Sequence, residues 1–266
     1  MAIILGALAV GAVWFLPPLA LKLLVLAIIA AGSAEYAGIF IGDRWVRAAT
    51  LLASLVLSSG LLFCSQGPAV ASLLLPVCLF LLSMLVMVRS RDFTKSSAEL
   101  AQALFCLVYL ALSFSFWGLL RDFGQGREFI LLALVPACLS DTMALIAGKC
   151  FGQMMSRKKF APRVSPNKTW EGFIGALFGS LLGVVMVREL VLPNFSLSAT
   201  IALALIIWIV APMGDLVESM LKRSRGMKDS GQIIPGHGGV LDRLDALIFV
   251  APAMYLFLKY VLSVQP

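Results

Sequence analysis

The feature that most constrains this chain is a succession of apolar runs, each close to the length needed to cross a hydrocarbon core. About twenty apolar residues make that crossing as a helix. On this measure nine candidate spans follow one another, at 2–16, 19–40, 46–64, 70–88, 102–120, 129–147, 172–187, 200–217 and 245–262. The first is short, and Pro17-Pro18 could join it to the second as a helical hairpin, so eight spans is the alternative. The expected fold class is all-α: a polytopic transmembrane helical protein of 8–9 spans with polar loops that carry the chemistry.

Composition excludes the ordinary soluble alternative. The chain is 61% hydrophobic and 13% charged, where a soluble domain carries about 25% charged residues. Its net charge of +7 does not indicate nucleic acid, because the basic residues sit between apolar runs, where they report topology and anionic headgroups or phosphates. The five cysteines, Cys64, Cys78, Cys106, Cys138 and Cys150, have neither disulfide nor zinc spacing and read as small buried hydrophobes. The N-terminal run lacks a basic leader segment and passes through Pro17-Pro18 into another apolar run, so it is not expected to be a cleaved signal.

The loops orient the spans. With the N-terminus inside, one set of connections holds sixteen of the twenty-one basic residues. The other side holds Lys22, Arg121, Arg127, Arg188 and Lys259. This positive-inside bias places the polar loops near 148–171 and 218–244 in the cytoplasm and the C-terminus outside. Residues 1–130 read as membrane scaffold helices, and residues 131–266 as the catalytic membrane region, because nearly all the polar groups within spans fall there. Glu35 is the exception. A carboxylate inside a span suggests function, whereas an earlier end to that span would leave it interfacial.

Asp141 lies within the sixth span and needs a metal, a base or a water-filled cavity to offset its desolvation. After it, Ser165-Pro166-Asn167-Lys168-Thr169-Trp170-Glu171-Gly172 reads as a cap leading into the next helix. Asn167 or Thr169 would cap it, Glu171 suits its first turn, and Ser165, Lys168 and Thr169 at a helix N-terminus form a candidate phosphate cradle. Gly175, Gly179 and Gly183, spaced by four, line one face and fit close helix packing.

A denser cluster follows. Asp215 and Glu218, three apart, share a helical face at the end of the eighth span. Then come Ser219, Lys222, Arg223, Lys228 and a glycine-rich stretch containing His237, the chain's one histidine, before Asp242, Arg243 and Asp245 open the ninth span. Carboxylates suit a hard divalent cation, and the basic residues suit the oxygens of a triphosphate. Phosphoryl and nucleotidyl transfer depend mainly on such positioning and electrostatics. Gly148-Lys149-Cys150 is not a phosphate-binding Walker element, and one histidine cannot supply a metalloprotease pair.

The stretch Ser219 to Asp245 resembles the signature of the phosphatidate cytidylyltransferases. It carries Ser219, Lys222-Arg223, Lys228-Asp229, Gly231, Pro235, His237-Gly238-Gly239, Asp242-Arg243 and Asp245 at matching spacing. The resemblance extends to Asp141 through Gly148, Phe151-Gly152 and Ser165 to Gly172, with one departure at Leu145, where the family has an aromatic. It covers about residues 135–250. The resemblance implies a Mg²⁺-dependent reaction of CTP with phosphatidic acid, giving CDP-diacylglycerol and pyrophosphate for phospholipid synthesis. Asp215, Asp242 and Asp245 would hold metal, with a second cation as an option. Asp141, Lys222, Arg223, Lys228 and His237 would act at the reacting phosphates. Ser165, Lys168, Thr169, Ser219 and Arg243 would bind substrate. The expected setting is the cell (inner) membrane, among membrane lipids, with the active site towards the cytoplasm and a homodimer as an option. Competing readings are a CTP-dependent lipid kinase, a CDP-archaeol-type synthase, a secondary transporter and a structural membrane scaffold.

Overall fold

The computed structural model describes residues 2–90, 92–152, 159–231 and 238–265. Helices dominate them, and seven are long and apolar enough to span a membrane. These are α2 (Pro18–Phe40), α3 (Arg44–Phe63), α4 (Gly67–Arg89), the continuous helix Phe93–Asp122, α7 (Gly126–Phe151), α8 (Trp170–Val191) and α9 (Leu197–Ser224). The Phe93–Asp122 helix comprises α5 (Phe93–Cys106), a π-helical stretch Leu107–Leu112, α6 (Ser113–Leu119) and a closing 3₁₀ turn Leu120–Asp122. The protein is therefore an integral, polytopic all-α membrane protein. The first and ninth candidate spans are shorter apolar helices: α1 (Ala2–Phe15) and the segment Val250–Val261, which contains α11 (Val250–Leu256).

Three boundaries differ from the hydropathy reading. The fifth helix starts at Phe93, well before 102, because Asp92 caps it by accepting from the Thr94 and Lys95 amides. The eighth candidate span does not end near 217 but continues as α9 to Ser224, carrying Glu218, Ser219, Lys222 and Arg223 on regular helix. The ninth starts at Val250, after a four-residue helix α10 (Leu241–Leu244) and a turn that contains Asp245. Hydropathy measures the apolar stretch of a helix, and these helices extend beyond theirs or begin after it.

By contacts the chain divides into two units. The first comprises residues 1–18, 120–228 and 243–266, and the second residues 19–119 and 229–242.

In the first unit, α7 and α8 pack along the glycine stripe. A Cβ on Gly175 would strike Ala147, and on Gly179 the Leu139 backbone. At Gly183 it would meet Pro136, inside α7. Small residues permit this backbone approach where lipid offers no hydrophobic force to join helices. Between α7 and α8 the chain forms a two-stranded antiparallel hairpin, β1 (Lys159–Ala161) with β2 (Ser165–Thr169). The second unit is built on α2 to α6. Of the most apolar 18-residue stretch, 72% is buried in the Phe93–Asp122 helix and only 22% in α4, so α4 is the more exposed element. Lys22 is satisfied inside α2 by donating to the Leu62 carbonyl at 2.7 Å.

Candidate active site

The site in the first unit begins with the end of the hairpin. Thr169 caps α8: its backbone is extended and its Oγ1 accepts from the Gly172 amide at 3.1 Å. Such a cap is worth about 1 kcal/mol. Close packing fixes this cap against α7. A Cβ on Gly172 would lie 2.9 Å from the Ala144 carbonyl, and one on Gly152 3.1 Å from Thr169 Oγ1. The residue before the cap, Lys168, is thereby directed at α9. Its Nζ lies 2.8 Å from Asp215 Oδ2 and donates to the Pro212 carbonyl at 3.2 Å. The other Asp215 oxygen accepts from Ser219 Oγ at 3.1 Å, one turn on.

These groups line a cavity of about 620 Å³ between α7, the hairpin, α8 and α9. Asp141 opens into it from α7, with Lys149, Lys159, Ser165, Asn167, Lys168, Thr169 and Asp215 around the wall. Leu145, Phe160 and Phe173 add apolar surface, and Phe160 stacks on Phe173 with centroids 4.7 Å apart. The intramembrane aspartate thus has the polar cavity that its desolvation demands.

Asp245 belongs to the same electrostatic group. A Cβ on Gly214 would strike the Asp245 carbonyl, so Gly214 is what lets α9 meet the turn after α10. Asp141, Asp215 and Asp245 are close enough to repel one another, against the positive charges of Lys168, Lys222 and Arg243. Asp245 Oδ1 also accepts from its neighbour's amide, Ala246 N, at 2.7 Å. Among the described residues no three His, Cys, Asp or Glu side chains chelate one ion unaided. The donor chemistry still fits Mg²⁺, which is commonly held by one or two carboxylates together with substrate phosphates and water.

The remaining basic residues are arranged differently. Lys222 pairs with the buried Glu218 at 2.7 Å, one helical turn apart. Arg223 donates to the Met227 carbonyl at 3.3 Å where α9 ends, and Lys228 is exposed. His237 lies outside the described residues.

Asp242 belongs to the second unit. Its Oδ2 accepts from Ser230 N at 2.9 Å and Gly239 N at 2.8 Å, and Ser230 Oγ, whose single proton is turned to Glu35, lies 2.9 Å away. Gly238 has a φ of +77°, and a Cβ there would also strike that carboxylate, so both backbone and space require glycine. Glu35 joins this group from α2: it accepts from Ser230 Oγ and, at 2.7 Å, from Val240 N.

Sequence reasoning missed Lys149, Lys159, Asn167 and Phe160 as cavity residues. Charge alone marked the two lysines as topology signals, and only the hairpin, which it did not foresee, brings Lys159 and Phe160 to the wall. Glu218 was noted only for sharing a face with Asp215, and its pairing with Lys222 follows from the helix running on to Ser224.

The phosphatidate cytidylyltransferase of Staphylococcus aureus (strain COL) is 40% identical over 168 residues, covering 62% of this chain and 62% of the relative. That of Staphylococcus saprophyticus subsp. saprophyticus is 39% identical over 166 residues, and that of Staphylococcus epidermidis 36% over 168, with the same coverage of each chain. The match thus spans less than two thirds of these relatives' own length. The sequence profile of the cytidylyltransferase family matches residues 1–261 of the 266. The chain belongs to the cytidylyltransferase family.

Proposed function

We propose that this protein transfers a cytidylyl group from CTP to phosphatidic acid, giving CDP-diacylglycerol and pyrophosphate for phospholipid synthesis. The observation that carries the proposal is the cavity in which Asp141, Lys168 and Asp215 meet among membrane-spanning helices. A lipid phosphate can occupy such a space while its acyl chains remain in the bilayer. Family membership and the names of the relatives support the same reaction.

In the proposed step, a phosphate oxygen of phosphatidate attacks the α-phosphorus of CTP. A new P–O bond forms, the bond to the β-phosphate oxygen breaks, and pyrophosphate leaves with that electron pair. No side-chain nucleophile is needed, because the lipid phosphate is already an anion. Lys168, with Ser165 and Thr169 beside it, holds substrate phosphates at the N-terminus of α8. Lys149 and Lys159, which also line the cavity, add positive charge. Lys222, Arg223, Lys228 and His237 keep the phosphate-neutralising roles, and Ser219 and Arg243 the substrate-binding roles, that the resemblance implies.

Asp215 and Asp245 would hold Mg²⁺, and Asp242 is assigned a metal role by the resemblance alone. When bound, Mg²⁺ neutralises phosphate charge and favours the leaving pyrophosphate. Asp141 keeps the cavity wall polar and repels a misplaced phosphate unless a cation intervenes. The distribution of basic residues supports a site that opens to the cytoplasm, where CTP is found.

Protein purified in detergent and given CTP, Mg²⁺ and phosphatidate should release pyrophosphate only when phosphatidate is present. Release of CDP with a lipid alcohol as acceptor would instead identify a lipid kinase and reject the proposal.

A further inference from the structure

The reaction leaves Glu35 unused, although it is the most unusual group of the N-terminal helices. It lies on α2 (Pro18–Phe40), and its partners are about two hundred residues away in the chain, in the loop that carries the glycine-rich signature. One carboxylate oxygen accepts from Ser230 Oγ, and the other accepts from Val240 N at 2.7 Å. Those contacts lie on either side of residues 232–237. Ser230 passes the connection on, since its amide donates to Asp242 Oδ2 and its hydroxyl lies beside it, each at 2.9 Å.

Gly239 of the signature is shaped to this carboxylate. A Cβ on Gly239 would strike Glu35 Oε1 and Ser230 Oγ, and one on Gly231 would lie 3.4 Å from Glu35 Cδ. Gly239 therefore admits the Glu35 side chain against bare backbone, while a Cβ at Gly231 would meet it in ordinary contact. Both donors described for Glu35, Ser230 Oγ and Val240 N, belong to the loop.

From this geometry we infer that Glu35 is a positioning residue: it ties both ends of the signature loop to α2 and, through Ser230, fixes the carboxylate of Asp242. The inference rests on the proposed cytidylyl transfer for its effect on rate, but the tether itself is structural. Misplacing a reacting group by about 1 Å can cost on the order of a hundredfold in rate, so a tether remote from the substrate is enough to govern turnover.

Glu35→Ala and Glu35→Gln, compared with wild type in detergent, test this by hydrogen exchange of residues 229–242 and by steady-state kinetics. Glu35→Ala should speed exchange at 238–242 by about tenfold or more while α3 is unaffected. Its kcat should fall by about tenfold to a hundredfold, with KM for CTP changed by less than about threefold. Gln retains an oxygen for the Val240 amide and a group able to meet Ser230, so Glu35→Gln should stay within about threefold of wild type in both measurements. Unchanged loop exchange in Glu35→Ala would overturn the tether. A Glu35→Gln enzyme as inactive as Glu35→Ala, with its loop still protected, would overturn it too, because the charge would then be what matters. If Glu35→Ala does not fold, Ser230→Ala replaces it, with faster exchange at 238–242 expected and unchanged exchange contradicting the proposal. Absence of cytidylyl transfer in wild type would reject the proposed reaction, while the exchange comparison would still decide the tether.

Discussion

Lys168 and Asp215 form an ion pair of 2.8 Å that joins the end of the β-hairpin to the middle of α9. Each side chain is about a quarter exposed, so solvent screens the pair and its direct contribution to stability is at most about 1 kcal/mol. Its value lies in placing a cation and an anion on one cavity wall. Lys168→Ala should therefore leave the fold intact, with a change in stability below about 1 kcal/mol. It should also lower kcat/KM by about a hundredfold or more, as loss of a donor to transition-state charge does. Thermal unfolding and steady-state kinetics of the purified variant check both parts.

The carboxylates make a separate prediction. Asp215→Asn and Asp245→Asn preserve size and remove charge, so the Mg²⁺ concentration for half-maximal activity should rise by at least about tenfold in each. By the role the resemblance implies, Asp242→Asn should be as severe. A magnesium titration with unchanged midpoint in Asp215→Asn would remove that residue from the metal site.

Packing is tested by two glycines with opposite surroundings. A Cβ on Gly179 of α8 would strike the Leu139 backbone, whereas one on Gly38 of α2 meets nothing within 4 Å. Gly179→Ala should destabilise by about 1–3 kcal/mol through overpacking. Gly38→Ala should be neutral or gain up to about 1 kcal/mol from helix propensity. Thermal unfolding in a single detergent compares them.

Asp43 supplies the pH dependence. It caps α3 by accepting from the Trp45 and Val46 amides at 2.7 and 3.1 Å, and it pairs with Arg89. Burial would raise its pKa, but the two amides and the Arg89 guanidinium outweigh burial and hold the carboxyl below its ordinary value. A folded pKa below the unfolded one gives stability that is present above the unfolded pKa, near 3.9, and is lost as pH falls through the folded value. Asp43→Asn keeps the cap but cannot titrate, so the drop in melting temperature on acidification below about pH 4 should be smaller in the variant than in wild type.

Much of this was legible in the residues. Apolar run length located the helices, and the spacing of Gly175, Gly179 and Gly183 announced the α7–α8 contact because helical periodicity is local. Thr169 was one of two candidate caps, and its spacing to Gly172 is equally local. The hairpin was hidden because strands of three and five residues are too short to show an alternating pattern. The extension of α9 to Ser224 was hidden because its final turns are polar, so hydropathy fell while the hydrogen-bonded helix continued. The partners of Glu35 were beyond reach, since nothing local connects α2 with Ser230 and Val240.

The central claim is that the lipid phosphate attacks the α-phosphorus of CTP at this site. The most direct measurement supplies CTP labelled with ³²P at either the α- or the γ-phosphate, with phosphatidate and Mg²⁺, and follows where the label goes. The account predicts that α-label enters the lipid and γ-label leaves as pyrophosphate, with both lost in Asp215→Asn. Transfer of γ-label to lipid, or α-label transfer undiminished in Asp215→Asn, would contradict it.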